Sequence, residues 1–281
     1  MHTSRKSNGY KTMLNIPDRA LISSELVLSF AEVTDVGGRV SNQDALGSAQ
    51  LEDLACFVVA DGVGGEAGGE IAAQIVVEAV TGRFMHEASF APRALRSYID
   101  CAAGEVARRK SEDEQLKGMS ATVAAVLIDR RNRSALWAHL GDTRVYLFRQ
   151  NKVYSVTKDH SLVQQLVDEG YCSPDQLRTH PQRNALCAAI GGGSGDIPEV
   201  TLAATTILAG DAFLVCTDGF WEWIVEKNME EVIAPARSAQ EWLAAMRALV
   251  EENGRLSGKS RDNYTAFAIF LDDPTLQPNE F

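Results

Sequence analysis

A chain of 281 residues, 45% hydrophobic and 23% charged, has enough apolar material for one large folded domain or two small ones, which excludes a disordered, collagenous or repeat-peptide protein. Thirty-eight acidic against 27 basic residues leave a formal net charge of −11, so the molecule as a whole repels nucleic acid and anionic membranes. Five cysteines without a Cys-x-x-Cys pair speak against a disulfide scaffold or zinc knuckle and for free thiols in a reducing cytoplasm, and no apolar run reaches membrane-spanning length.

In chain order, residues 1–22 are polar and aperiodic and read as a tail; they are basic at the start but lack the apolar stretch of a secretory signal. Branched, aromatic and alternating segments then predict strands at 25–33, 54–60, 122–128, 134–140, 144–149, 152–156, 199–207, 212–216 and 265–271, with Arg149-Gln150-Asn151-Lys152 as a hairpin turn. Long amphipathic helices are predicted at about 68–86, at about 91–110 with Pro92 in the first turn, and at about 238–253 with Ser238 as N-cap. Shorter helical patches fit 160–170, 173–179 and 219–234. Strands come in runs rather than in β-α-β alternation, which points to α+β with largely antiparallel sheets. With no linker or repeat, one domain over 23–272 and a short C-terminal tail over 273–281 is the economical reading.

The informative pattern is where the aspartates fall. Phe57-Val58-Val59-Ala60 runs into Asp61-Gly62, and Phe213-Leu214-Val215-Cys216 runs into Thr217-Asp218-Gly219. The strand at 134–140 ends in Gly141-Asp142, Asp262-Asn263 precedes the last strand, and Asp44 follows the first. Taken singly, a strand-end Asp is more often a turn or cap than a ligand, and a lone Arg39 is more often a surface ion-pair residue. Five such aspartates from distant segments form a candidate oxygen-rich site. Crowded carboxylates repel unless cations hold them. Oxygen ligands suit Mg²⁺ or Mn²⁺ rather than zinc. Two such ions roughly 3.5–4 Å apart can aim a bridging hydroxide at phosphorus. Arg39 offers a planar fork matched to two phosphate oxygens.

The order Thr34-Asp35-x-Gly37-x-Arg39-x-x-Asn42-Gln43-Asp44, Val59-Ala60-Asp61-Gly62-x-Gly64-Gly65, Gly141-Asp142-Thr143-Arg144, Thr157-x-Asp159-His160, Cys216-Thr217-Asp218-Gly219 and Asp262-Asn263-x-Thr265 resembles the metal-dependent Ser/Thr protein phosphatases of type 2C in their bacterial form. The likeness runs over about residues 25–271. It implies a four-layer α-β-β-α sandwich with two central, mostly antiparallel sheets and a metal site at one end. By the same resemblance Asp61 bridges two Mn²⁺ or Mg²⁺ ions, the Gly62 carbonyl, Asp218 and Asp262 add ligands, and Asp44 holds metal-bound water. Asp142 is implied as the ligand of a third, weaker ion, Arg39 as the phosphate binder, and 161–195 as a mobile flap. The implied activity is hydrolysis of phosphoserine and phosphothreonine in proteins by attack of a metal-bridging hydroxide, opposing a bacterial Ser/Thr kinase in the cytoplasm. No nucleic-acid or membrane partner is expected, and we expect a monomer. The alternative from another class is a catalytically silent pseudophosphatase serving as a binding module; retention of Arg39, Asp61, Gly62, Asp218 and Asp262 argues against it.

Two departures stand out. Val63 and Glu66 occupy places where some relatives carry a histidine proposed as leaving-group acid, which leaves metal-bound water or Glu66 for that role. Gln43 stands where other members have Glu. Asp159 also reads as a plain helix N-cap, so neither it nor His160 joins the catalytic set. Two rival motifs are weaker. Cys172 and Arg178 have the spacing of a cysteine-dependent phosphatase, but the loop has no Gly and contains Pro174 and Asp175. Gly62-x-Gly64-x-x-Ala67 matches a dinucleotide fingerprint, but a helix rather than a second parallel strand is expected after it. Trp221, Trp223 and Trp242 read as packing residues.

Overall fold

The computed structural model describes residues 25–63, 68–193 and 196–274. The tail read over 1–22, Glu66, and most of the tail read over 273–281 lie outside the described residues. The elements in order are β1 (Val27–Asp35), β2 (Asp44–Leu51), β3 (Leu54–Val63), α1 (Gly69–His86), α2 (Pro92–Glu112), β4 (Ser120–Ala121), β5 (Val123–Asp129), β6 (Ser134–Leu140), β7 (Arg144–Arg149), β8 (Lys152–Val156) and α3 (Leu162–Asp168). There follow β9 (Glu199–Val200), β10 (Thr205–Thr206), β11 (Asp211–Cys216), α4 (Asp218–Trp221), α5 (Glu226–Ile233), α6 (Ala239–Ser257) and β12 (Tyr264–Asp272).

Two sheets result, one ordered β1-β12-β11-β7-β8, the other β10-β6-β5-β3-β2 with β4 beside β3 and β9 beside β6. Every described strand pair is antiparallel. The period-2 alternation of the strands explains the layers, because both faces are apolar. Phe57, Val59, Val126, Val145, Phe213, Val215, Phe267 and Ile269 point between the sheets, where Phe57 packs edge-on against Phe30 and Phe267 at 5.1 and 5.2 Å. The alternate residues Cys56, Val58, Ala60, Val123 and Ala125 face α1 and α2. Tyr146, Leu214, Cys216, Ala266 and Ala268 face α4, α5 and α6. The outcome is the α-β-β-α sandwich.

Local signals explain the element ends. Ser238 caps α6 by accepting from the Glu241 amide at 3.1 Å, and Gly258 ends it with φ +67°. Gln150 and Asn151 take φ of 52° and 61°, the left-handed pair of a two-residue hairpin.

Three expectations need correction, and one strand gave no sequence signal. The strand predicted over 199–207 is two short strands, β9 and β10, with Leu202 between them almost fully exposed. The patch predicted over 219–234 is broken into α4 and α5. β2, which carries Asp44, was not predicted: DALGSAQL is too poor in large apolar residues to signal a strand. Its Gly47 lies so close to α1 that an added Cβ would meet the Val77 side chain at 2.5 Å. Finally, Asp159 is no N-cap. Ser161 caps α3, while Asp159 is buried in a bidentate pair with Arg144, at 2.7 Å on both oxygens.

Candidate active site

Sheet ends bring the aspartates together. In the register of β2 with β3, Asp44 is the direct cross-strand partner of Asp61, so two carboxylates from different strands stand side by side. Asp218 opens α4 straight after β11, Asp262 lies two residues before β12, and Asp142 sits in the turn from β6 to β7. One cavity of about 270 Å³ is lined by Arg39, Gln43, Asp61, Gly62, Asp142, Asp218, Asp262 and Asn263, with Asn184 and Leu186 at its side. Asp44 lies behind Asp61, its Oδ2 accepting from the Thr217 hydroxyl at 2.9 Å.

Glycines permit the close approaches. Gly37 takes φ +59°, and a Cβ there would meet the Asp262 carbonyl oxygen at 2.1 Å. A Cβ on Gly62 would meet the Gly69 carbonyl oxygen at 2.2 Å, so only glycine lets the start of α1 lie against the end of β3.

The electrostatics are those of an acid cluster awaiting positive charge. Burial, then the neighbouring carboxylates led by Asp44, hold Asp61 well above the usual carboxylate range. Burial, then Asp218 and Asp159, does the same to Asp142. Asp44 is pushed up to about 7 by burial, against the opposing hydrogen bonds from Thr265 and Thr217. Asp218 is pushed up to about 6 by burial and then by Asp262. The buried Oδ1 of Asp142 has no hydrogen-bond partner among the described residues. An all-oxygen donor set, mutual repulsion and an orphaned carboxylate oxygen fit hard divalent cations. Arg39, the nearby cation, bonds Asp262 at 2.6 Å through a side chain that is 54% exposed.

Several supporting residues escaped the sequence reading. Asn263 accepts from the Gln43 amide and donates to the carbonyls of Val36 and Ser41, which pins the Arg39 loop. Thr122 accepts from the Asp61 amide at 3.1 Å. The Trp221 indole N–H donates to the Asp142 carbonyl at 2.9 Å, and the Arg144 guanidinium lies over its ring at 3.4 Å, so Trp221 holds the Asp142 turn as well as packing. Glu222, raised to about 7 by burial and then by Asp218, pairs with Arg183 at 2.7 Å. Only the recurrence of polar residues beside the aspartates hinted at these.

The rival motifs fail on geometry. Residues Pro174–Arg178 form a short 3-10 turn with a Ser173–Gln176 capping box, and Arg178 is spent on the Trp221 carbonyl and Glu226. Among the described residues, the elements that follow Gly62 are α1 and α2 rather than a parallel strand.

A family model described as protein phosphatase 2C matches residues 38–258. The chain belongs to the protein phosphatase 2C family. The serine/threonine protein phosphatase PstP of Mycobacterium tuberculosis is 34% identical over 258 residues, 88% of this chain and 46% of that relative, so the chain spans about half its length. The serine/threonine phosphatase stp of Listeria welshimeri is 27% identical over 212 residues, 74% of this chain and 79% of that one. Among solved structures, the PstP catalytic domain in complex with two manganese ions superposes with a TM-score of 0.74 at 28% identity, covering 88% of this chain and all of that one. For this 2C chain the family likeness extends over the segments that converge at the cavity, since 38–258 includes Arg39, Asp44, Asp61, Asp142 and Asp218, with Asp262 just beyond.

Proposed function

We propose that the chain is a metal-dependent protein phosphatase acting on phosphoserine and phosphothreonine. The observation that carries this reading is the convergence of Asp44, Asp61, Asp142, Asp218 and Asp262 from the ends of both sheets onto one end of the sandwich, with Arg39 at the rim. Asp61, the Gly62 carbonyl, Asp218 and Asp262 would hold two ions, Mn²⁺ or Mg²⁺, with Asp44 behind them and Asp142 as a ligand of a third. When bound, such ions supply charge for the phosphoryl group and lower the pKa of water beside it.

The residues of the chain do the rest. The Arg39 guanidinium leaves Asp262 and takes two phosphate oxygens in its planar fork. Half exposure lets it move without a large desolvation cost. Thr217 fixes the Asp44 carboxylate, and Thr122 fixes the backbone at Asp61, so the acids are preorganised. A phosphorylated side chain on an exposed protein loop can reach the rim, which suits a phosphoprotein rather than a deeply buried metabolite.

The catalytic unit is assigned to 23–272, with 161–195 as the flap. A bacterial Ser/Thr kinase is the natural opponent, in the cytoplasm, and the chain is assigned as a monomer without nucleic-acid or membrane partners. Among the described residues no helix is long and apolar enough to cross a membrane. Hydrolysis of p-nitrophenyl phosphate that requires Mn²⁺, and that chelator or Asp61→Asn abolishes, is the expected result. A metal-loaded protein with no turnover on this ester or on phosphopeptides would favour the silent binding module instead.

A further inference from the structure

A second cluster lies away from the aspartates. His139 on β6 and Glu199 on β9 are direct cross-strand partners, so their side chains leave the same face. His160, in the segment between β8 and α3, approaches both: one ligand atom from each of the three residues falls within 4.8 Å of the others, and His160 Nε2 is 3.7 Å from a Glu199 oxygen. His139 Nε2 lies 2.7 Å from the Lys158 carbonyl oxygen, which can only accept, so Nε2 carries the proton. Burial lowers the pKa of this nearly inaccessible imidazole, which keeps it neutral and leaves the lone pair on Nδ1. A backbone carbonyl on one ring nitrogen and a lone pair on the other is how metal-ligating histidines are oriented. A cavity of about 390 Å³ lined by His160, Glu199 and Cys187 gives an ion access and leaves room for water as a fourth ligand.

We propose that His139 Nδ1, a Glu199 carboxylate oxygen and an imidazole nitrogen of His160 form a second metal site, selective for zinc-class ions. Two imidazoles and one carboxylate favour zinc or cobalt, whereas the all-oxygen cluster favours magnesium or manganese, so the two sites sort ions by chemistry. One rearrangement is required. The rings of His139 and His160 stack at 4.6 Å with planes 17° apart, so their in-plane lone pairs do not yet converge. His160 must turn about its Cβ–Cγ bond. What restrains it is a 3.2 Å hydrogen bond donated by the Gly141 amide to Nδ1, on a side chain 24% exposed. Ligation through Nε2 puts the imidazole proton on Nδ1, where it can no longer accept from Gly141. Occupancy therefore frees the amide of Gly141, next to Asp142, while the Gly141 carbonyl still accepts from the His160 backbone N–H at 2.8 Å, and this links the site to the catalytic cavity.

Cobalt distinguishes the two sites. The full chain, stripped by chelator and saturated with spectroscopically silent Mg²⁺, is titrated with Co²⁺. The intense d–d absorption of four-coordinate cobalt is expected at one equivalent, reversed by Zn²⁺ and retained in Asp61→Asn. Glu199→Gln, a change at an exposed side chain, and His139→Asn should abolish the band or raise the Co²⁺ needed at least about tenfold. Only the weak absorption of six-coordinate cobalt, or an intense band undiminished in Glu199→Gln, overturns the proposal.

Discussion

At the residue scale, the aspartates are costly to fold without cations, and the cost has a pH signature. An acid whose folded pKa lies above its unfolded value binds more protons folded than unfolded between the two, so stability falls as pH rises through that window. For Asp44 the window runs from 3.8 to about 7, and for Asp218 from 3.8 to about 6. The metal-free chain is therefore expected to lose thermal stability from these two groups between about pH 4 and 7, with Mn²⁺ restoring it above that range. Thermal unfolding of Asp44→Asn should show a shallower fall; an unchanged slope would refute the assignment. In the proposed function Arg39 acts on substrate rather than on the fold. Loss of its charge-assisted hydrogen bonds to phosphate in Arg39→Ala should cost about 1.5–3 kcal/mol, or roughly 10–150-fold in kcat/KM, with little change in unfolding temperature. Steady-state kinetics on a phosphopeptide measures it.

At the element scale, rigidity behind the site comes from packing between the sheets and from one buried ion pair. Phe57, fully buried against Phe30 and Phe267, should lose about 3–5 kcal/mol in Phe57→Ala, read by denaturant unfolding. Arg144, clamped by Asp159 and lying on Trp221, shows why Asp159→Ala should be as damaging: about 3–5 kcal/mol, since the buried guanidinium loses its bidentate partner and keeps the Tyr146 hydroxyl and a Glu226 oxygen 3.9 Å away. Because Trp221 also holds the Asp142 carbonyl, that variant should weaken metal binding as well. These contacts mark the limit of the sequence reading. Strands such as FVVA and FLVC were legible because apolar runs ended in Asp-Gly. β2 was not, because small residues beneath α1 carry no apolar signal, and 199–207 misled because alternation persists where the backbone pairs only at its ends. Asp159 looked like a cap because a local reading cannot see Arg144, fifteen residues back.

At the scale of the whole molecule, the charge of −11 takes on a location. Part of the acid excess is gathered where the two sheets end, and each divalent ion bound there cancels two units of it. The site was legible as a set because its members recur in one order along the chain. Its support was not, because Asn263, Thr122 and Trp221 gain their roles only when distant strands pair. In the proposed function these carboxylates form one metal-dependent phosphatase centre. Phosphate release from a phosphoserine peptide, followed with and without Mn²⁺ for the wild type, Asp218→Asn and Cys172→Ser, tests it most directly. Turnover should need Mn²⁺, fall at least about 10²-fold in Asp218→Asn and persist in Cys172→Ser. Turnover that survives chelation, or that disappears in Cys172→Ser, would contradict it.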